Sequence, residues 1–160
     1  MKRTLFSIVC LTLFGVLFVS QPTFADAQFE IGKTVYILNG SQQEMNVYPY
    51  ISNGRTFMPI RYVAYVLGIE DSNILWDNDS QTVTLLKGDK VVQVQMGSNN
   101  LQVNNDLATL DAAPEINNGR ICLPIALVAS VFGFNTTWDP ATQTVTISAP
   151  TSNTNINTST

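Results

Sequence analysis

The sequence has 160 residues, with 8 basic and 12 acidic side chains, no histidine and a formal net charge of −4. An acidic chain without a basic cluster excludes nucleic acid as a partner and argues against anionic membrane surfaces. The absence of histidine removes the commonest general base near neutral pH and the imidazole ligands that a copper site favours.

The first 27 residues have the composition of a secretory signal peptide. A basic start is followed by an apolar run from Leu5 to Val19 and by the small residues Ala25 and Ala27. This order is typical of a signal sequence cleaved after Ala25 or after Ala27. The alternative is an uncleaved anchor, but the run is shorter than the roughly 20 residues of a membrane span. We therefore predict a signal peptide over residues 1–27.

The two cysteines do not predict a disulfide in the mature chain. Cys10 lies within the predicted signal peptide, so Cys122 remains alone. The expected role of Cys122 is a small buried apolar residue on a strand. An exported protein without disulfides fits a bacterial envelope or medium better than a eukaryotic secretory route.

Two hairpin signals follow the predicted signal peptide. Residues 34–38 are β-branched and aromatic and precede Asn39-Gly40, and the same dipeptide returns at Asn53-Gly54. Asn-Gly favours the tight type I′ turn of a β-hairpin. The pattern predicts strands on both sides of each turn, with a return strand near residues 43–47. Residues 28–32 are interpreted as a short lead-in.

A short helix is predicted after the second hairpin. Pro59 is placed in its first turn, where a missing N–H costs nothing, and Gly68 ends it with a left-handed residue. A buried face with helical spacing lies between them: Ile60, Val63, Ala64 and Leu67. A helix this short must be held by packing against a sheet.

The same plan returns in the second half of the chain. Asn118-Gly119-Arg120 repeats Asn53-Gly54-Arg55 at a distance of 65 residues. A helix start at Pro124 and a helix stop at Gly133 follow in the same register. An internal repeat has to be recognised before a fold is assigned. We predict an α+β protein of two tandem repeats, over residues 28–88 and 89–148, each with antiparallel strands wrapped around one short helix. Residues 149–160 are predicted to form a disordered polar tail.

These repeated motifs resemble those of a known family. The motifs are Asn-Gly-Arg, Pro-Ile, Val-Ala-x-x-Leu-Gly, Trp-Asp and Gln-Thr-Val-Thr, and they extend over residues 33–147. They resemble the copper amine oxidase-like N-terminal domain, also called the stalk domain, which occurs in exported proteins of Gram-positive bacteria. The resemblance implies strands wrapped around a short helix. It does not imply amine oxidase chemistry, because the name refers to a domain outside the catalytic one.

The sequence departs from the family pattern at a few helix positions. Ala126 stands in the second copy where the first has Arg61, and the family commonly has arginine there. Tyr65 and Ser130 replace an acidic residue that is usual in the helix. A charge pair formed by these positions in the family would be absent or altered in this chain.

The sequence predicts no catalytic residue, no metal ligand and no cofactor. Without histidine, neither a Ser-His-Asp nor a Cys-His arrangement is available. Paired carboxylates at Asp77, Asp79 and Asp139 leave a small carboxylate-dependent hydrolase as the least favoured alternative. We instead expect Asp77 and Asp139 to bind backbone N–H groups of their turns. The loop at Asp77 lacks the glycine and glutamate of a calcium-binding loop.

Other repeated side chains are predicted to be structural. Arg55 and Arg120 are expected to bond loop carbonyls or an acidic neighbour, rather than to clamp an anion. Trp76 and Trp138 recur in register and are predicted to line the core.

Candidate binding residues are therefore sought where the two copies differ. They are Tyr48, Tyr50, Arg61, Tyr62 and Tyr65. Tyrosine combines an apolar ring with a polar tip and is suited to sugars and to interfaces, although single surface tyrosines are the simpler explanation.

The resulting functional prediction is a non-catalytic exported module that binds or scaffolds in the cell envelope or the medium. The alternative is a module that recognises cell-wall glycan through the first-copy tyrosines. The expected partners are cell-wall polysaccharide or another envelope protein, with no nucleic acid and no membrane after signal cleavage.

Overall fold

The structure is a computed structural model that describes residues 26–150. The predicted signal peptide and polar tail lie outside these residues, except for Asp26, Ala27, Ala149 and Pro150. The first half consists of β1 (Asp26–Glu30), β2 (Val35–Leu38), β3 (Ser41–Glu44), β4 (Tyr50–Ser52), β5 (Arg55–Pro59), α1 (Ile60–Val66), β6 (Ile74–Asp77) and β7 (Thr82–Lys87).

The second half shows the same order of elements. It consists of β8 (Lys90–Gln95), β9 (Asn100–Val103), β10 (Asp106–Thr109), β11 (Glu115–Asn117), β12 (Arg120–Pro124), α2 (Ile125–Val131), β13 (Asn135–Asp139) and β14 (Thr144–Ser148). One 3-10 turn, Asp71–Asn73, precedes β6 and has no counterpart before β13. The predicted α+β class is confirmed.

Three antiparallel sheets share the strands of the two halves. The first outer sheet has the order β13-β14-β1-β2-β3, and the second has the order β10-β9-β8-β7-β6. Each outer sheet thus joins three strands from the start of one half to the last two strands of the other. The central sheet has the order β11-β12-β5-β4. Neither half therefore completes its sheets alone.

The two halves meet at the middle of the central sheet. Strand β5 pairs with β12 so that Met58 faces Leu123, with Phe57 opposite Pro124 and Pro59 opposite Cys122. Since Met58 and Leu123 hold the same position in their respective halves, this pairing has an approximate local two-fold axis between them. Both side chains are fully buried.

The repeated motifs determine the local geometry. Asn53 and Gly54 have φ values of 49° and 72°, and Asn118 and Gly119 have 48° and 71°. Two successive positive φ values define the type I′ turn that the Asn-Gly pairs predicted, so this prediction is confirmed. Pro59 ends β5 with φ −60°, and helix α1 begins one residue later, at Ile60.

One hydrophobic core serves both halves. Each helix buries a small face into it, with Val63 and Ala64 from α1 and Val128 and Ala129 from α2. Helices of seven residues are not stable alone in water. Packing provides their stability, because burying a valine or leucine side chain contributes roughly 1.5–3 kcal/mol. Both helices are also far shorter than a membrane span, and residues 26–150 contain no helix suited to one.

The turn between the halves is tied to both helices. The Lys87 ammonium group donates a hydrogen bond to the Leu67 carbonyl after α1, and Lys90 donates to the Val131 carbonyl of α2. A cation at a helix C-terminus is favourable because it interacts with the unpaired carbonyls. Desolvation, followed by the charge of Lys90, lowers the pKa of Lys87. This junction therefore couples α1 to α2.

Two sequence interpretations require correction. The predicted lead-in belongs to a strand, β1, which lies in the middle of the first outer sheet between β14 and β2. Only Ala27 and Phe29 of this strand face the core, so the alternation of apolar and polar residues was too short to be recognised as a strand in the sequence. Trp76 and Trp138 are not core residues, because 42% and 43% of their surfaces are exposed. Each tryptophan lies on a strand at the edge of an outer sheet.

Candidate functional site

Two grooves lie at equivalent places in the two halves. The wide groove has a cavity volume of about 470 Å³ and runs between the start of α2, strand β13 and the β4–β5 turn. Its lining includes Ile51, Arg55, Asp111, Ala126, Leu127 and Trp138. The wall is thus built by both halves, with Ile51 and Arg55 from the first and the others from the second.

The narrow groove has the equivalent construction, with the halves exchanged. Its cavity volume is about 330 Å³, and it runs between the start of α1, strand β6 and the β11–β12 turn. Its lining includes Asn46, Arg61, Tyr62, Trp76, Arg120 and Ile121. Each groove is thus lined by a half-exposed tryptophan from an edge strand and by the arginine of an Asn-Gly-Arg turn.

The two grooves differ in the residues that the first turn of each helix contributes. Arg61 and Tyr62 stand in the narrow groove where the wide groove has Ala126 and Leu127. The Tyr62 hydroxyl accepts a hydrogen bond from the Asn46 backbone N–H at 2.9 Å and donates to Asn46 Oδ1 at 3.0 Å. These bonds fix the position of Tyr62 in the wall of the narrow groove, where its ring also packs edge-on against Tyr36 and Tyr65.

The charges of the grooves also differ. In the wide groove, Arg55 Nε lies 2.8 Å from Asp111 Oδ2, and the two side chains are 48% and 60% exposed. In the narrow groove the position of Asp111 is taken by Asn46, and no carboxylate within residues 26–150 forms a salt bridge with Arg120. The wide groove therefore carries a balanced ion pair at its rim, and the narrow groove carries an uncompensated arginine.

Arg55 and Arg120 also make the local bond expected from the sequence. The Nη1 group of each donates to the carbonyl of the preceding glycine at 3.4 Å. Arg55 additionally has its acidic neighbour, Asp111. The prediction of loop-carbonyl and acidic partners is thus confirmed for Arg55, and its loop-carbonyl part is confirmed for Arg120.

The five residues predicted as binding candidates are divided by the structure. Arg61 and Tyr62 line the narrow groove, whereas Tyr48, Tyr50 and Tyr65 lie outside both grooves. Tyr48 is 43% exposed.

Tyr65 has a partner on its own surface. Its hydroxyl donates to Asp71 Oδ1 at 2.9 Å, and Arg61 Nε lies 3.6 Å from the same oxygen. Partial burial and then the hydrogen bond to Asp71 raise the pKa of Tyr65. Asp71 thus links Tyr65 to Arg61, which lines the narrow groove.

Tyr50 connects the two edges of the central sheet. It lies on β4, yet its hydroxyl donates a hydrogen bond of 2.5 Å to Glu115 on β11, the opposite edge strand. Its ring stacks on Phe57 at 5.5 Å. Burial and the bond to Glu115 raise the pKa of Tyr50. The same surroundings bury Cys122 and raise the pKa of its thiol to about 11, so this cysteine is protonated at neutral pH and is a poor nucleophile.

The turn aspartates have the structural role that the sequence predicted. Asp77 accepts hydrogen bonds from the Asp79 N–H at 2.9 Å and from the Ser80 hydroxyl at 2.8 Å. Asp139 accepts the equivalent bonds from Ala141 and Thr142 at 2.9 and 2.8 Å. Across residues 26–150, no group of three or more His, Cys, Asp or Glu side chains is placed to hold a metal ion.

Sequence reasoning missed the groove residues Trp76, Trp138 and Asp111. Most residues of β6 and β13 are exposed. The sequence contained a signal that the two tryptophans lie at the surface. Each tryptophan directly precedes the aspartate of a polar turn, at the end of its strand. Asp111 had no signal, because its pairing with Arg55 depends on how the two halves cross.

Comparison with known proteins identifies the family. The family model described as the copper amine oxidase N-terminal domain matches residues 37–147. The chain belongs to this family. No curated protein and no solved structure matches it. Membership in the copper amine oxidase N-terminal domain family points to a non-catalytic module.

Proposed function

We propose that this member of the copper amine oxidase N-terminal domain family is a binding module of the cell envelope, and that the wide groove is its ligand site. The observation that supports this most is the open groove at Trp138, which combines an exposed indole with the Arg55–Asp111 ion pair. Its volume lies within the roughly 300–1,000 Å³ of small-ligand sites. The equivalent groove is smaller, at about 330 Å³, and lacks the acidic partner.

We infer further that the two halves are tandem copies of one domain whose strands are exchanged. The equal order of their elements supports this, as does the pairing of Met58 with Leu123 at the centre. After duplication only one of the two equivalent grooves needs to keep a ligand, and the other can be closed. The divergence of the groove linings, compared with the shared turns and helix ends, fits this history.

Export is part of the proposal, and β1 favours one of the two cleavage sites. Ala27 is fully buried and faces Ile147 on one side and Leu38 on the other. Cleavage after Ala25 leaves β1 complete, whereas cleavage after Ala27 removes two of its five residues. We expect a mature N-terminus at Asp26. N-terminal sequencing of the exported protein checks this, and a start at Gln28 would contradict it.

Sedimentation with purified bacterial cell walls tests the binding role. The mature protein is expected to sediment with the walls, and Trp138→Ala is expected to abolish sedimentation because it removes the exposed indole. Trp76→Ala is the matched control, since Trp76 is equally exposed on the equivalent strand. Absence of the wild-type protein from the pellet would contradict the proposal, as would equal loss in both variants.

A second candidate keeps the first-half tyrosines as the glycan-binding residues. The observation in its favour is that Tyr62 lines the narrow groove beside Trp76. Under this alternative, Trp76→Ala abolishes sedimentation with cell walls and Trp138→Ala does not. Unchanged sedimentation of Tyr48→Ala and Tyr50→Ala would limit the alternative to the narrow groove, because both residues lie outside it.

A further inference from the structure

We propose that the ligand of the wide groove is an uncharged stretch of polysaccharide, with a pyranose ring stacked on Trp138 and adjacent hydroxyl groups bound by Arg55 and Asp111. This inference rests on the proposed function, because it names the ligand class of the same groove. It is carried by three features of that groove: an exposed aromatic face, a paired donor and acceptor, and a local charge of zero.

The aromatic face is the first feature. Trp138 is 43% exposed on strand β13, at the free edge of the first outer sheet. An exposed indole costs free energy in water and offers a flat apolar surface with a polar N–H at its edge. The C–H face of a pyranose ring is apolar and flat as well, while its rim carries hydroxyl groups. A sugar thus covers the indole without burying unpaired polar groups.

The ion pair is the second feature. The Nε–Oδ2 contact of 2.8 Å uses one donor of Arg55 and one acceptor site of Asp111. A guanidinium group has five N–H donors and a carboxylate about four acceptor sites, so both groups keep capacity for a ligand. Each hydroxyl of a sugar donates and accepts. Two adjacent hydroxyls therefore match such a pair, one donating to the carboxylate and the other accepting from the guanidinium.

The balance of charge is the third feature. The groove lining contains Arg55 and Asp111 as its charged residues, and they neutralise each other. An anionic ligand would have to compete with Asp111 for Arg55, and a cationic ligand would have to compete with Arg55 for Asp111. An uncharged ligand avoids both costs and gains charge-assisted hydrogen bonds to both groups.

The narrow groove has an exposed tryptophan, Trp76, but lacks the other two features. Arg120 has no carboxylate partner within the described residues, so this groove has neither the paired donor and acceptor nor the balanced charge at that position. It therefore serves as an internal control on the same molecule.

The test uses the two tryptophans as separate reporters. In the Trp76→Phe protein, Trp138 is the remaining tryptophan of the chain. We expect tetra-N-acetylchitotetraose to change its fluorescence in a saturable way. In the Trp138→Phe protein the same titration is expected to leave the Trp76 signal unchanged. Asp111→Ala in the Trp76→Phe background is expected to weaken binding about tenfold, a loss of one hydrogen-bonded contact, whereas Asn46→Ala is expected to leave it unchanged.

Two further arms separate the possible outcomes. The first is a titration with the peptide-only wall fragment L-Ala-γ-D-Glu-L-Lys-D-Ala-D-Ala, and the second is the wall sedimentation described above. Saturation by the peptide but not by the oligosaccharide would overturn the polysaccharide proposal while leaving a binding module. Trp138-dependent sedimentation without oligosaccharide binding would overturn it too. Failure of both sedimentation and oligosaccharide binding would remove the proposed function itself.

Discussion

The two grooves have the same scaffold and share a tryptophan and an arginine, but they differ at other lining positions, and these differences identify the candidate binding groove. The shared positions form turns, strand ends and helix ends, as with the Asn-Gly pairs and the prolines that precede each helix. The positions that differ line the groove, as with Ala126 against Arg61 and Asp111 against Asn46. Trp138 and Arg55 have the counterparts Trp76 and Arg120 in the other groove, so the retained lining residues are common to both grooves. The positions that differ, Ala126 and Asp111, mark the wide groove as the candidate binding site.

The largest effects on stability are expected at the centre of the shared core, where the two halves contribute equivalent residues. Met58→Ala and Leu123→Ala each create a cavity at the centre of the shared core, because both side chains are fully buried and face each other. Each substitution is expected to lower the free energy of unfolding by about 2–5 kcal/mol. Urea denaturation followed by circular dichroism measures this. A large loss for one variant and almost none for the other would contradict the equivalence of the halves.

A smaller effect is expected from exchanging the groove linings. Ala126→Arg with Leu127→Tyr gives the wide groove the larger residues that line the equivalent place in the narrow groove. Oligosaccharide binding at Trp138 is expected to weaken at least tenfold, about 1.4 kcal/mol, because the cavity is filled. Little stability should be lost, because Ala126 is exposed and Leu127 is only partly buried. Thermal unfolding serves as the control, and unchanged titration of a folded double variant would contradict the assignment.

The bond between Tyr50 and Glu115 is expected to contribute less. Tyr50→Phe keeps the ring on Phe57 and removes one hydrogen bond, so the expected loss is about 0.5–1.5 kcal/mol at neutral pH. Since the pKa of Tyr50 is raised in the folded state, its contribution is complete below the ordinary tyrosine pKa of about 10 and is lost as the pH rises above it. The wild-type protein should therefore lose more stability than Tyr50→Phe between pH 8 and pH 10.5 in urea denaturation. Equal losses would contradict this.

The smallest effects are expected at the two turn aspartates. Hydrogen bonds from the turn lower the pKa of Asp77, chiefly that from Ser80, and of Asp139, chiefly that from Thr142. A lowered folded-state pKa gives stability that is present above the unfolded pKa of about 4 and is lost as the pH falls through the lowered value. Asp77→Asn and Asp139→Asn are therefore each expected to reduce the fall of the melting temperature between pH 5 and pH 2. The two reductions are expected to be similar in size. A steep acid dependence in either variant would disagree with this.

The local parts of the fold were predictable from the sequence because short-range chemistry determines them. The Asn-Gly turns, the helices after Pro59 and Pro124, and the aspartate-bonded turns all depend on residues within a few positions of one another. The exchange of strands between halves was not predictable, since β1 with β14 is a long-range pairing between short, mostly polar strands. A repeat in the sequence does not indicate whether a strand pairs with a strand of its own half or with a strand of the other half.

The candidate site was predictable only in part. Seeking function where the copies differ led to Arg61 and Tyr62, which line a groove. The wide groove was missed for two reasons. A small residue such as Ala126 gives no sequence signal for a cavity, and the Arg55–Asp111 ion pair joins residues from different halves of the chain. Tryptophans that recur in register suggested a core, although their strands lie at sheet edges, where one flank remains unpaired.

The pairing of β1 with β14 also has a mechanical consequence. Asp26 faces Ser148, so both ends of the described chain leave the fold side by side at the same end of an antiparallel pair. Tension applied between these two ends would peel the strands apart one hydrogen bond after another, instead of shearing all the bonds together. The β1–β14 pairing therefore gives the fold little mechanical resistance when the chain is pulled from both ends. When the chain is held at one end only, no tension acts across this strand pair.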